Sequence, residues 1–113
     1  MLSRQNRLHR NRDIKRVFQK GVKTHINGLR VQVLAHNRQS LPRVTVIIST
    51  KVAKRATERN RLKRQVRALM HQFITRYPML DSDIVITITK PQSYADFAHS
   101  WAESERALVG QSR

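Results

Sequence analysis

The sequence predicts a single small α/β (α+β) domain, a β-sheet covered mainly on one side by helices, with its elements in the order α-β-β-α-β-α. Three observations carry this. The chain has 113 residues, enough for one core and too few for two. Apolar residues make up 39% of it, so a modest core can be buried and wholesale disorder is not expected. The hydrophobic period switches between two and about 3.6 along the chain, and no repeat, low-complexity tract or Gly/Ser linker divides it, so residues 1–113 read as one domain.

The elements follow in order. Asn11-Arg12-Asp13 can cap a short helix, with Ile14, Val17 and Phe18 at helical spacing and Gly21 as its stop. Leu29, Val31 and Val33 alternate with Arg30 and Gln32, the pattern of a strand with one buried face. Residues 36–40 and Pro42 make a turn, and Val44 to Ile48 is a second, more continuously apolar strand, suited to an antiparallel hairpin with the first. From Thr57 to about Tyr77, Leu62, Val66, Leu69 and Phe73 recur at three- and four-residue steps, and Pro78 ends that helix. Ile84, Val85, Ile86 and Ile88 form a β-branched run of the kind buried on both faces. Ser93 then caps a last helix whose Phe97 and Trp101, four apart, are expected to pack on the sheet.

Charge narrows the function. The formal net charge is +16, far more than solubility requires, and points to nucleic acid or an anionic membrane surface. Residues 1–80 hold 20 of the 23 Lys and Arg and only two acids, Asp13 and Glu58, so the partner meets the first two thirds of the chain. The absence of cysteine excludes disulfides and thiolate zinc sites and fits a reducing cytosol. No apolar run approaches the ~20 residues of a membrane span, and no apolar signal-peptide core follows Arg4, Arg7, Arg10 and Arg12. His9, His25, His36, His71 and His99 show no metal-ligand spacing.

The informative stretch is Lys51 to Arg67, which holds eight Lys or Arg against the single acid Glu58. At ~100° per residue, Leu62, Val66, Leu69 and Phe73 fall in one stripe, Arg59, Lys63 and Arg67 line one flank, and Asn60 and Arg64 continue round the exposed side to Arg61 on the other flank. A solvated helix face normally mixes signs at four-residue spacing; here like charges stand at 55, 59, 63 and 67, which costs stability unless a polyanion is bound. Arginine's planar fork donates two hydrogen bonds to one phosphate, and Asn60 can reach a base, a sugar or a bridging water. Lys51, Lys54 and Arg55 precede the helix, where free backbone N–H groups also favour anions. A basic leucine-zipper arm would need heptads running on into a coiled coil, and Pro78 stops the helix instead.

At this stretch the sequence resembles the protein subunit of bacterial-type ribonuclease P. The family's Arg-Asn-basic-aliphatic-basic-Arg block stands here as Arg59-Asn60-Arg61-Leu62-Lys63-Arg64, with Ala56 before it and Arg67 after it. Arg12-Asp13 with Val17-Phe18 and Gly21, Pro42-Arg43, and Asp83-Ile84-Val85 are similar to three further family segments. The resemblance implies a fold of the ribosomal protein S5 second-domain type, with the central basic helix in a left-handed β-α-β crossover, where general rules favour the right-handed form. It implies a protein that binds a catalytic RNA subunit, one protein to each RNA, and helps it remove 5′ leaders from precursor tRNA in the cytoplasm. The RNA holds the active site and its magnesium, so no residue here is expected to be catalytic or to bind metal. The basic helix, with Lys51, Lys54, Arg55, Arg59, Asn60, Arg61, Lys63, Arg64 and Arg67, would meet the RNA subunit. A cleft between the first helix and the sheet, with Arg12, Lys15, Arg16 and Phe18, would hold the leader. The chain departs from the family at Val44-Thr45, where an aliphatic residue and a glycine are usual, and at Lys54, where many members have glycine. It also lacks aromatics in the strand of Leu29, Val31 and Val33, which leaves Phe18 as the main stacking candidate.

Three other classes compete. A self-contained nuclease needs clustered carboxylates or a His/Glu base, and the basic region offers only Asp13 and Glu58, far apart. A ribosomal or other structural RNA-binding protein without a nuclease role fits the composition equally well, and only the block at 59–67 with its flanking matches separates the two. A membrane-surface protein would show a wide apolar face, whereas the central stripe is narrow.

Overall fold

The computed structural model describes residues 4–26, 28–35, 37, 41–48, 52, 54–90 and 94–111. After a 3₁₀ turn at Arg4–Asn6 come α1 (Asn11–Lys20), β1 (Val22–Ile26), β2 (Leu29–Ala35), β3 (Arg43–Ile48), α2 (Ala56–Arg76), β4 (Ser82–Ile88) and α3 (Tyr94–Gln111). The strands form one mixed sheet in the order β1-β2-β4-β3. β1 and β4 both pair with β2 antiparallel, while β3 pairs with β4 parallel, so β3-α2-β4 is a β-α-β unit.

Two sequence expectations are corrected. β2 and β3 do not form a hairpin, because β4 lies between them. The physical reason is burial: six of β4's seven residues are buried, so it takes the centre, where both faces are covered. The order also gains a strand, β1, which pairs with β2 from Val22↔Val33 to Ile26↔Leu29. Gly28, at φ +80°, supplies the left-handed conformation that a two-residue hairpin connection requires. The turn is tied to the end of β4 by Thr89, whose N–H donates to the Gly28 carbonyl at 2.8 Å. The turn expected at residues 36–40 and the cap expected at Ser93 lie largely outside the described residues.

The sheet's two faces differ. Leu29, Val31 and Val33 from β2, Val44 and Ile48 from β3, and Ile84, Ile86 and Ile88 from β4 face α2 and α3 and form the main core with Val66, Met70, Phe73, Phe97 and Trp101. Each such side chain, fully buried, contributes about 1.5–3 kcal/mol of transfer free energy. Trp101 meets Phe73 edge to face at 5.4 Å between centroids, which places Phe97 and Trp101 against the sheet as expected. The helical stripe shifts slightly: Met70 is fully buried while Leu62 and Leu69 are only partly so. Arg76 of α2 pairs with Glu105 of α3, tying the two helices together.

The opposite face carries a smaller core of Leu8, Val17 and Val85, flanked by Ile14, Leu34 and Ile47. It is built by α1 and by the segment before it, which bridges Arg7 to Val44 and donates Leu8 N–H to the Val44 carbonyl at 2.9 Å. α1 begins at Asn11 after an extended Arg10, with no side-chain cap bond, so the cap expected at 11–13 is absent. Asp13, within the first turn, is engaged elsewhere. Gly21 closes the helix by donating its N–H to the Val17 carbonyl at 2.8 Å, and a Cβ there would stand 2.5 Å from that same oxygen.

Candidate nucleic-acid interface

α2 supplies the first basic surface. Lys54, Arg55, Asn60, Arg61, Arg64 and Arg67 are exposed, whereas Arg59 and Lys63 are half-buried along the flank nearer the sheet. Arg59 also folds back, its Nη1 donating to the Lys54 carbonyl at 2.9 Å, which steadies the helix start. Arg61 and Arg64 line a shallow hollow of about 480 Å³ with Gln65 and Ala68. Lys51 lies outside the described residues. These groups can neutralise phosphates without sequence preference, so binding should weaken steeply with salt. Arg64→Ala or Arg67→Ala is expected to flatten the log–log salt slope by roughly 0.7–0.9 for each phosphate no longer neutralised, read by RNA titration at several salt concentrations. Salt-insensitive binding by the unaltered protein would contradict the electrostatic reading.

The second surface is the face of the sheet beneath α1. Strand register sets side chains in rows: His25, Arg30, Thr87 and Ile47; then Lys23, Gln32, Val85 and Thr45; then Leu34, Asp83 and Arg43. α1 crosses at the last row, with Asp13 turned to Arg43 and Val17 packed near Val85. Ile14, the next position round the helix, lines a cavity with Thr45, one row inward. Phe18 lies one turn beyond Ile14 and so on the flank toward the uncovered rows, with Lys15 beside it. Phe18 is 44% exposed, which rules out a core role. Arg16 sits on the other flank of α1, in a cavity with Arg12, Asn37, Leu41 and Arg43. Lys15 also lines a hollow of about 430 Å³ with Arg12, Arg16, Gln19 and Lys20, so three of the four residues expected to share one groove are brought together and Phe18 stands on the flank beyond Lys15. Lys23, His25 and Arg30 stand on the same face of the sheet, a placement the sequence reading did not foresee; for Arg30 the alternation with Leu29, Val31 and Val33 is the signal.

The helix is fixed by a buried ion network. Arg43 donates from Nε and Nη2 to the two carboxylate oxygens of Asp83, at 2.7 and 2.6 Å, and from Nη1 to Asp13 Oδ2 at 3.4 Å. Asn37 Nδ2 donates to Asp83 Oδ1 at 3.0 Å and to the Leu41 carbonyl at 2.9 Å. The hydrogen bond to Asp83 raises the Arg43 pKa above its ordinary value; burial opposes this, and the charges of Asp83 and Asp13 reinforce it. A raised guanidinium pKa means that Arg43's own titration withdraws this stabilisation only at the alkaline extreme.

Among the described residues no set of side chains offers a metal site. Asp13 and Asp83, the carboxylates under α1, are both spent on Arg43, and among the described residues no three His, Asp or Glu side chains converge. His9, His25, His71 and His99 stay apart, with His25 Nε2 3.4 Å from Thr89 Oγ1 and His99 Nε2 3.4 Å from Glu103; His36 lies outside the described residues. No helix among the described residues is long and apolar enough to cross a membrane.

A mixed four-stranded sheet with a basic helix on one face and a second, arginine-bearing helix across the other makes this a strongly basic α+β domain. Its relatives give the family. Residues 2–110 match the family model described as Ribonuclease P. The chain is 35% identical over 98 residues to the ribonuclease P protein component of Pseudanabaena sp. (strain PCC 6903), covering 86% of this chain and 83% of that protein. It is 28% identical to the one from Cyanothece sp. (strain PCC 7425), over 96% of this chain and 93% of the relative. The Staphylococcus aureus RNase P protein superposes with a TM-score of 0.79 at 20% identity, over 91% of this chain and 94% of that one. The Thermotoga maritima protein gives 0.66 at 24%, over 93% of each. The chain belongs to the ribonuclease P protein family, the protein component of the enzyme that processes tRNA 5′ ends.

Proposed function

We propose that this chain binds the catalytic RNA subunit of ribonuclease P through the exposed face of α2, and the 5′ leader of precursor tRNA through the groove between α1 and the sheet. The observation that carries the reading is the one-signed face of α2, where Arg61, Arg64 and Arg67 are exposed and no carboxylate among the described residues answers them. Magnesium and the chemical step belong to the RNA, one protein serves each RNA, and the complex works in the cytoplasm.

In the groove, Phe18 offers a stacking surface, and Lys15, Lys23 and Arg30 offer charge for the backbone of a single strand. His25, exposed in the same row as Arg30, adds a second flat ring where the family more often has strand aromatics. Stacking is worth ~1–3 kcal/mol per base, so Phe18→Ala is expected to weaken binding of leader-bearing precursor by about tenfold and to leave mature tRNA binding nearly unchanged. The measurement is holoenzyme affinity for both substrates, with a melting curve for the variant. An unchanged difference between the two substrates would place the leader elsewhere.

A further inference from the structure

Among the described residues, the part of the sheet that α1 leaves uncovered carries one histidine, His25, at the end of the row it shares with Arg30, Thr87 and Ile47. We propose that His25 is a proton-gated phosphate ligand. It grips the leader backbone when charged, so the preference for precursor over mature tRNA weakens as pH rises through neutrality. The proposal rests on the reading of the groove between α1 and the sheet as the leader site.

Geometry is the first support. His25 and Arg30 are partners on neighbouring strands, and both point to the face that α1 crosses. Cross-strand partners hold their Cβ atoms about 4.5–5.5 Å apart, close enough for two side chains to grip one phosphate. His25 is exposed, and its Nε2 lies 3.4 Å from Thr89 Oγ1. That contact steadies one ring nitrogen at the end of β4 and leaves Nδ1 for a ligand.

Charge is the second support. His25 is faced by Lys23 from β1 and by Arg30 from β2, and Lys90, just past β4, lies against Gly28 of the hairpin turn. From α1 comes Lys15, beside Phe18. No carboxylate stands in the rows of His25 and Lys23; Asp83 lies in the row under α1, bound like Asp13 to Arg43. α3 packs on the opposite face through Phe97 and Trp101 and takes its acids with it. A second cation opposite Arg30 is unfavourable in the free protein and becomes favourable when a phosphate lies between the two.

Proton linkage gives the sign. Histidine is the side chain whose ordinary titration falls between about pH 5 and 8. A phosphate that prefers the charged ring takes up a proton on binding, so the gain is present at acidic pH and lost as pH rises. Lysine and arginine in the same groove stay charged throughout that range and cannot produce the effect. His9 lines the cavity at the edge of β3 with Ile14 and Thr45, so its replacement is the control.

The test measures holoenzyme affinity for precursor and mature tRNA, under conditions that prevent cleavage, from roughly pH 5.5 to 8.5. The ratio of the two substrates cancels titration elsewhere in the protein and the RNA. For the unaltered protein and for His9→Gln, the ratio is expected to fall by up to about fivefold across that range. His25→Gln should hold the low ratio and His25→Lys the high one at every pH. The salt slope of the ratio should be steeper by ~0.7 at the acid end, one single-strand phosphate, and this difference should vanish in both His25 variants. A flat profile for the unaltered protein, a pH dependence that survives His25→Gln, or one that His9→Gln abolishes would overturn the role of His25. Phe18→Ala, run alongside, separates that failure from a wrong groove: if it still lowers the ratio, the groove stands without His25. A ratio untouched by Phe18→Ala overturns the reading of the groove and the proposal with it.

Discussion

Arg43→Ala is expected to lower the unfolding free energy by about 3–5 kcal/mol, since removing one member of a buried ion network strands the charges left behind. Asp83 is 2% exposed and accepts three of the network's hydrogen bonds, two from Arg43 and one from Asn37. Without the guanidinium it keeps one neutral donor for a buried carboxylate. Arg43→Lys should recover part of the stability, because an ammonium restores the charge but cannot reproduce the two-pronged hydrogen bonding. Asp13→Asn should cost less than Arg43→Ala, since its bond is longer, at 3.4 Å, and single. Urea unfolding of the three variants at neutral pH measures the order. A change below about 1 kcal/mol for Arg43→Ala would mean that the network behaves like a surface pair.

The chain incubated alone with precursor tRNA and magnesium is expected to leave the substrate intact, and addition of the catalytic RNA is expected to restore cleavage at the 5′ end. The contrast should be all or none, because uncatalysed phosphodiester hydrolysis lies some 10⁶-fold or more below an enzymatic rate. The supply of donors is the reason. Asp13 and Asp83 are committed to Arg43, and Glu58 stands exposed in the first turn of α2, remote from them in sequence. Glu58→Gln should leave the chemical step in the reconstituted enzyme nearly unchanged. Cleavage by RNA-free protein, surviving purification through high salt and nuclease treatment, would revive a nuclease reading.

The parts of the fold that are legible in the sequence are those set by local period. α2 begins one residue before the expected Thr57, and Phe73, Phe97 and Trp101 fall in the core that their spacing implies. β1 escapes the pattern because it is half-exposed: Val22, at 53% exposure, and the polar Lys23, Thr24 and His25 give a weak strand signal. The usable signal is Asn27-Gly28 just ahead of the alternating run of β2, a dipeptide that favours a tight hairpin. Strand pairing is hidden for another reason. Nothing local in β2 or β3 records that β4, made much later, will come between them.

The site divides the same way. The basic face of α2 follows from helical spacing, because one helix carries all of it. Which flank of α1 faces the groove does not, since that depends on where Arg43, itself fixed by Asp83, holds Asp13, and the two lie 30 and 70 positions further along the chain. The scarcity of acids in the first 80 residues is the available hint that Asp13 has a particular cation to meet.

The central position of β4 also bears on how the protein is born. It is the last of the four strands to leave the ribosome, and β3 has no partner strand before it arrives; β2 has only the short, half-exposed β1. All of α2 must be synthesised in between, and at ~5–20 residues per second that wait lasts seconds. For that interval the nascent chain displays its most cationic segment with no sheet beneath it, surrounded by ribosomal and messenger RNA. Emergence of β4 is the event that lets the sheet form beneath that polycation.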